Sequence, residues 1–405
     1  MSDHTRLDGG LVLRTATPAD LEQIVALSLA AHGDDEERGL RMFFADPRVG
    51  PSRWTVVVDG ERVVSTLGLG SATARVQGLD VPAGWVEYVA TDPAYQRRGL
   101  VRAQMDRVHT WSAQRGDLLQ IIQGIYYFYR RFGYAYALRS AERVQLRRGA
   151  KAAVPDGWSV RAADAGDLDA VAALDARASA VADLSLVRSR DEWRAVLDGI
   201  HPQERSWVAV HDDRVRGYAR TRARDDLRQL YEVAVDGLDA ARALAGHAAA
   251  DGDRAGVALC RRPGTPWDAL LDDIAVAFEP SPSTDYARIA DPVAFLAHLR
   301  PVLSERLAAS PWAGDRGSLR VTTYVGGFRI DYAGGAVTAV EPAAPLEEPD
   351  DQNVGVPPDV LPQLLLGARY PRELERWHDD VVLGQQAGLV AALFPKLTHD
   401  AWFWF

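Results

Sequence analysis

The chain has 405 residues, with 46 basic against 56 acidic side chains, a net charge of −10, 47% apolar and 25% charged residues, and one cysteine. This is the balance of a core-forming globular protein of roughly two to four domains. The acidic surplus argues against a nucleic-acid binder, Cys260 alone rules out an internal disulfide, and no apolar run reaches the roughly eighteen residues of a membrane span. The start, Met1-Ser2-Asp3-His4, has no apolar h-region, so the expectation is a cytoplasmic protein, with signal-less secretion left open.

Leu11–Arg14 reads as a short strand. A helix follows, with Thr17 as N-cap, Pro18 at the first helical position, Asp20 completing a capping box, and Leu21, Ile24, Val25 and Leu27 as its apolar stripe. Arg53–Val58, the Asp59-Gly60 turn and Glu61–Leu67 predict a β-hairpin. Trp85–Thr91 predicts a further strand, and a helix is expected from Leu100 to Gln114.

The same order recurs downstream. Arg161 to Leu174 repeats the strand, cap and helix entry, Ser206 to Val215 repeats the hairpin, and Leu230 to Asp236 repeats the strand that ends at Asp92. Three matches in one order predict two copies of one α/β domain.

After Thr91 comes Asp92-Pro93-Ala94-Tyr95-Gln96-Arg97-Arg98-Gly99-Leu100-Val101-Arg102. A helix start offers unpaired N–H groups and the positive end of the helix dipole, so this turn is suited to a pyrophosphate. Gly99 permits close backbone approach, and Arg97, Arg98 and Arg102 add charge. The alternative is a basic helix start on a solvated face. The turn resembles the (Gln/Arg)-x-x-Gly-x-(Gly/Ala) motif of the GNAT acetyltransferases, with Val101 in place of the last small residue. The resemblance implies acetyl-coenzyme A as co-substrate. In the second copy the corresponding turn, Asp236-Gly237-Leu238-Asp239, carries acids that repel a pyrophosphate, so that copy is expected not to bind the cofactor.

Leu118–Ile122 reads as a buried strand, followed by an aromatic stretch from Gly124 to Tyr134 that is expected to form a helix packed on the sheet. Phe128-Tyr129-Arg130-Arg131-Phe132-Gly133-Tyr134 resembles the GNAT helix whose tyrosine faces the thioester sulfur. A phenol there protonates the departing thiolate. Tyr129 is assigned this role, with Tyr126 and Tyr127 as neighbouring alternatives.

Pro280 and Ser281-Pro282-Ser283 mark a linker. A helix is expected from Ala287 to Ala308, then strands Gly317–Tyr324, Gly327–Tyr332 and Ala336–Val340, an acidic loop over 341–358, and helices near Pro358–Gly367, Glu373–His378 and Gln386–Phe394. This module resembles a sterol-carrier-protein-like fold. The chain closes on Ala401-Trp402-Phe403-Trp404-Phe405. These rings either anchor the last strand or deliver the terminal carboxylate into a site, where burial would raise its pKa and make it a better base.

The whole resembles the enhanced intracellular survival (Eis) family of N-acetyltransferases, through Arg97-Arg98-Gly99-Leu100-Val101-Arg102, Tyr129 to Tyr134, Leu393-Phe394-Pro395 and Phe405. The resemblance implies α/β and α+β architecture: a GNAT domain over 1–150, a degenerate GNAT-like domain over 151–284 and a sterol-carrier-like domain over 285–405. It implies Tyr129 as acid, the Phe405 carboxylate as base, and a homohexamer. Val89, Ala90 and Thr91 would line the acetyl-pantetheine arm, residues 97–102 would hold the pyrophosphate, and Gly124 and Ile125 would flank the cofactor. Trp404 stands where drug-modifying members carry an acid, and the run Asp34-Asp35-Glu36-Glu37 offers replacement charge. The expected acceptor is a primary amine on a small cation, aminoglycoside-like or polyamine. A lysine-peptide acetyltransferase and a non-enzymatic lipid-binding scaffold are the rival readings. No metal site is expected, since the nine histidines show no metal-ligand spacing.

Overall fold

The structure is a computed structural model that describes residues 4–139, 142–147, 153–224, 227–250, 256–277, 284–349 and 352–401. Contacts divide the chain into two compact units. The first comprises Met1–Ala16, Pro51–Arg139 and Thr284–His399, and the second Thr17–Gly50, Ser140–Ser283 and Asp400–Phe405. The linker over 280–283 lies outside the described residues. No helix among them is long and apolar enough to cross a membrane.

The first unit opens with β1 (His4–Arg6), β2 (Val12–Thr15), β3 (Trp54–Asp59), β4 (Arg62–Val76), β5 (Leu79–Thr91), β6 (Leu119–Ile122) and β7 (Ala135–Arg139). β1 to β5 form an antiparallel meander, and β5 pairs with β6 in parallel. The Asp59-Gly60 hairpin is as the sequence predicts; β4 and β5 run longer than expected because Val76 and Leu79 pair around a tight Gln77-Gly78 turn. β3 is buried from Trp54 to Val58, a continuous apolar run covered on both faces. The helix Leu100–Arg115 supplies much of that cover: Leu100 packs with Leu13, Val57 and Val64, and Met105 and Val108 pack with Leu67, Leu69 and Val86. Each such side chain contributes about 1.5–3 kcal/mol through burial.

In the second unit the cap before the helix Leu21–His32 forms as expected, the Asp20 carboxylate accepting from the Thr17 N–H at 2.7 Å and its hydroxyl at 2.8 Å. The strands are β8 (Arg143–Leu146), β9 (Trp158–Ala162), β10 (Leu184–Val187), β11 (Glu204–His211), β12 (Arg214–Arg224), β13 (Leu227–Val235), β14 (Gly256–Cys260) and β15 (Ala275–Ala277). One sheet runs β15-β8-β14-β13-β12-β11-β9, and only β13 and β14 pair in parallel. The path β9-β11-β12-β13-β14 has the connectivity and direction of β2-β3-β4-β5-β6, so the two copies share one topology. The Asp164–Asp167 box before the helix Leu168–Ser179 matches the Thr17–Asp20 box.

β16 (Thr284–Arg288) returns to the first sheet, lying antiparallel between β6 and β7. β8 holds the corresponding place between β14 and β15. Each sheet is therefore completed by a strand that follows a different copy in sequence. The helix expected from Ala287 begins instead at Pro292, capped by the Asp291 side chain, because Asp285 to Ala287 are buried between two strands. The first unit then adds β17 (Arg316–Thr322), β18 (Gly327–Ala333), β19 (Ala336–Pro342) and β20 (Val354–Gly355) in a sheet ordered β19-β18-β17-β20. Helices Pro292–His298, Arg300–Ala308, Leu361–Leu365, Pro371–Trp377 and Ala387–Leu393 accompany it.

Candidate active site

The site grows from the parting of two strands in the first unit. β5 and β6 pair only from Ala83 and Leu119 to Val86 and Ile122, after which β5 continues to Thr91 beside β4 alone. The β4–β5 register shifts between Thr66 and Gly68, and opposite that bulge Tyr88 has φ of +53° and stacks on Trp54 at 5.9 Å. Bulges re-aim side chains and end pairing. Here one leaves the backbone edge of Val89, Ala90 and Thr91 without a strand partner on the β6 side.

A buried polar network holds that edge from behind. The Ser65 Oγ lies 3.1 Å from the Ala90 carbonyl, 2.7 Å from the Thr91 hydroxyl and 2.6 Å from Gln104 Oε1. Gln104 Nε2 donates to the Thr55 hydroxyl at 3.1 Å. Ser65, Gln104 and Thr55 are fully buried, so the helix Leu100–Arg115 is tied to β3, β4 and β5 at one depth.

The connection from β5 to that helix runs from Asp92 to Gly99. Asp92 accepts from the Ala94 N–H at 2.9 Å and pairs with Arg62, while the Tyr95 hydroxyl donates to Asp59 at 2.7 Å. Arg97 and Gly99 take φ of +63° and +76°. No atom lies within 4 Å of a Cβ built at Gly99, so glycine is needed there for its backbone conformation. The first amide of the helix to reach a carbonyl is that of Ala103, on Gly99 at 3.1 Å, which leaves the amides of Leu100, Val101 and Arg102 without helical partners. Arg97, Arg98 and Arg102 are exposed and have no acidic partner among the described residues. Arg98 lies over the Tyr95 ring at 4.9 Å and Arg102 over Phe132 at 5.6 Å. Free amides, unpaired guanidiniums and an open glycine suit a polyphosphate.

The second copy lacks this device. Its strand ends at Val235, its helix starts at Leu238, and Asp236 is paired with Arg216 at 2.8 Å. Only Asp236 and Gly237 lie between strand and helix there, against the eight residues Asp92–Gly99 of the first copy.

The aromatic stretch departs from the expected helix. Only Phe128–Phe132 is helical, as a short 3-10 turn, and Ile125, Tyr126 and Tyr127 stand 67%, 78% and 68% exposed. Tyr129 is 4% exposed. Its ring lies against Gly124, where a Cβ would meet Tyr129 Cε2 at 3.0 Å and Oη at 3.5 Å, and Gly124 has φ of +141°. Burial, then the Glu87 carboxylate and Tyr286, push the Tyr129 phenol above its ordinary range, keeping it protonated at neutral pH. Its hydroxyl has no hydrogen-bond partner among the described residues. Val89 and Val101 pack against the cluster of Leu67, Val86, Ile122 and Tyr129. One apolar core thus gathers the strand edge, the start of the helix and the phenol.

Several contributors are not evident in the sequence. Glu87 accepts from Trp85 Nε1 at 2.8 Å. Tyr286, on β16, stacks on Tyr136 at 4.0 Å, its hydroxyl 2.6 Å from that of Tyr136 and 3.2 Å from the Ile125 carbonyl, while the Tyr127 N–H donates to Tyr136 at 3.0 Å. They pin the turn that carries Tyr129, and only long-range strand pairing brings them there. His109 Nε2 sits 3.1 Å from the Tyr134 hydroxyl, and burial with the Arg288 charge pushes its pKa down to about 3. In the acidic run, Asp35 pairs with Arg222 at 2.7 Å and Glu37 with Arg41 at 2.9 Å, so two of its carboxylates are neutralised within the second unit. Burial pushes the Cys260 thiol up to about 12, which suits it poorly to nucleophilic work. Trp404 and Phe405 lie outside the described residues.

Residues 12–137 match the acetyltransferase (GNAT) domain family. No curated protein sequence matches the chain. Among solved structures, the chain is similar to a conserved protein of Enterococcus faecalis V583 (15% identity, TM-score 0.71, covering 97% of this chain and 100% of that one). It is similar to a GCN5-related N-acetyltransferase from Kribbella flavida (18%, 0.69, 100% and 99%) and to Eis1 from Mycobacterium abscessus (20%, 0.63, 96% and 96%). Residues 12–137 form an acetyltransferase domain of the GNAT type.

Proposed function

We propose that the protein transfers acetyl from acetyl-coenzyme A to a primary amine of a small cationic molecule by direct attack. The observation that carries this is the single core joining the free β5 edge, the Arg97–Arg102 turn and Tyr129. In this reading the turn amides and arginines grip the pyrophosphate, and Val89, Ala90 and Thr91 present backbone groups to the pantetheine arm. Gly124 and Ile125 flank it. When bound, acetyl-coenzyme A supplies an activated acyl group and a thiolate leaving group. A backbone N–H near Val89 polarises the acyl carbonyl. Tyr129, kept neutral by its surroundings, delivers the proton to the departing sulfur. The Phe405 carboxylate deprotonates the incoming ammonium, a role that rests on the Eis-family resemblance, as do the sterol-carrier-like third module, the hexamer and the cytoplasmic location. The net charge of −10 favours encounter with a cation.

The second carboxylate to weigh as base is Glu87, on β5 beside Tyr88, whose Oε1 accepts from Trp85 Nε1 at 2.8 Å. Phe405 deletion and Glu87→Gln separate the two: the base is the one whose loss abolishes the rising limb of the pH–rate profile. Tyr129→Phe should lower kcat by about a hundredfold, within the range for a lost general acid, with little change in acyl donor affinity. Unchanged turnover would move the acid elsewhere. A thiol-release assay over aminoglycosides, polyamines and lysine peptides identifies the acceptor, and preference for the peptide would favour the lysine-acetyltransferase rival.

A further inference from the structure

One corner of the first sheet gathers positive charge and a stranded donor. Gln120 on β6 and Arg288 on β16 stand side by side in the strand register, as Ile122 and Tyr286 do two residues along. Ile122 and Tyr286 share an apolar cluster with Met105 and Val108 of the helix Leu100–Arg115, so by strand alternation Gln120 and Arg288 face that helix too. Gln120 is 2% exposed, and its Oε1 accepts from Arg288 Nη1. That bond fixes the amide, since a flipped amide would set its N–H groups against the guanidinium. Gln120 Nε2 is then left buried with no hydrogen-bond partner among the described residues. Such orphaned groups are few in a native core, and each needs an explanation.

Arg288 deepens the imbalance. It is half-buried, burial holds its guanidinium below the ordinary range, and it makes no ion pair among the described residues. Gly133, with φ of +84°, lets the side chain lie against the backbone: a Cβ there would meet Arg288 Nε at 3.2 Å. The neighbouring carboxylate is Asp117, whose Oδ2 would lie 2.7 Å from a Cβ at Gly84, the β5 partner of Gln120. It is already committed, to Arg115 Nη2 at 2.8 Å, Arg115 Nε at 3.0 Å and the Ser112 hydroxyl at 2.6 Å. His109, one turn before Ser112, adds no counter-charge. Its Nε2 is taken up by the hydroxyl of the buried Tyr134, and burial with the Arg288 charge keeps the imidazole neutral. A water satisfies the amide but leaves the guanidinium poorly solvated and uncompensated. An anion answers both.

We propose that Gln120 Nε2 and Arg288 form a binding site for a small monovalent anion, a halide or a short carboxylate, on the helix-covered face of the first sheet. The amide donates from the buried side and the guanidinium from the half-exposed side, by which the ion enters. An ion held there ties β6 to β16, the strand whose Tyr286 ring meets Tyr129 edge-on at 5.6 Å. The site uses none of the residues assigned to the acyl donor.

Thermal melting of the full chain at constant ionic strength is the test, with sodium chloride or sodium formate replacing sodium gluconate, whose anion is too bulky to reach the buried amide. Saturating coenzyme A is present throughout, to keep smaller anions off the Arg97–Arg102 turn. At ten times its dissociation constant the bound ion should raise Tm by about 3–6 °C, saturably. Gln120→Glu supplies the negative charge within the chain and should abolish the response to both ions, as should Arg288→Gln. No saturable rise in the wild-type chain overturns the proposal and leaves the amide to water. A rise that either variant keeps overturns it too, because the ion then binds elsewhere. Should Arg288→Gln not fold, chloride-35 line broadening on the wild-type chain and on Gln120→Glu decides: broadening lost in the variant supports the site, and broadening kept refutes it. Tyr129→Phe should leave the ion response unchanged, so failure of the acyl-transfer reading and failure of the anion site are read separately.

Discussion

Gly124→Ala tests whether the fold keeps glycine there for Tyr129. The backbone at Gly124, with φ of +141°, lies in a region L-residues rarely adopt, and the new methyl would stand 3.0 Å from Tyr129 Cε2. Backbone strain of this type costs about 1–3 kcal/mol, and overpacking adds about 1–3 kcal/mol. Together these come to about 2–6 kcal/mol, and for units of this size each kcal/mol lowers Tm by roughly 2–4 °C, so a fall between about 4 and 24 °C is expected by circular dichroism melting. Displacement of the ring should also lower kcat. The two contributions separate in a double-mutant cycle: in a Tyr129→Ala background the ring is gone, and only the backbone part of the cost should remain. Gly99→Ala provides the second comparison, because its φ of +76° is also positive while nothing lies within 4 Å of the new methyl. It should cost about 1 kcal/mol and raise KM for the acyl donor. If Gly124→Ala costs the same in both backgrounds, or no more than Gly99→Ala, the ring contact is not what holds Gly124.

Two further outcomes follow from the charges. His109 titrates ordinarily at 6.5 but only at about 3 in the fold, so its contribution is fully present above pH 6.5 and is lost progressively as pH falls toward 3. His109→Gln should therefore flatten the acid limb of stability by about 1.4 kcal/mol per pH unit between roughly pH 6 and 4, measured by urea unfolding, and an unchanged slope would contradict its neutral, buried state. Arg98→Gln and Arg102→Gln should each raise KM for acetyl-coenzyme A about three- to tenfold and weaken its salt dependence, with kcat unchanged; dephospho-pantetheine substrates should not sense them.

Local chemistry made much of the fold readable in the sequence. The Asp59-Gly60 turn, the Thr17–Asp20 and Asp164–Asp167 boxes and the order of both repeats rest on neighbours within a few residues. Tyr88 and its bulge carry no such signal, since a β-branched and aromatic run reads as plain strand until its partner's register is known. Tyr286 and β16 were hidden for a related reason: Ala287 to Leu296 has a helix-like spacing of apolar residues, and burial between β6 and β7 overrides it. At the site, Gly99 and the arginines were legible as a helix-start motif. Glu87, Tyr136 and the Ser65–Gln104 network were not, because each acts through residues far away in sequence.

The crossed-over edge strands have a consequence for biosynthesis. β6 and β7 emerge from the ribosome well before β16, the strand that must lie between them, so the acetyltransferase sheet stays unfinished until the second repeat has been translated. A gene fragment ending near residue 150 would produce a protein with a slot in its sheet, open to any extended chain nearby, and its insolubility would come from topology rather than from a lost contact.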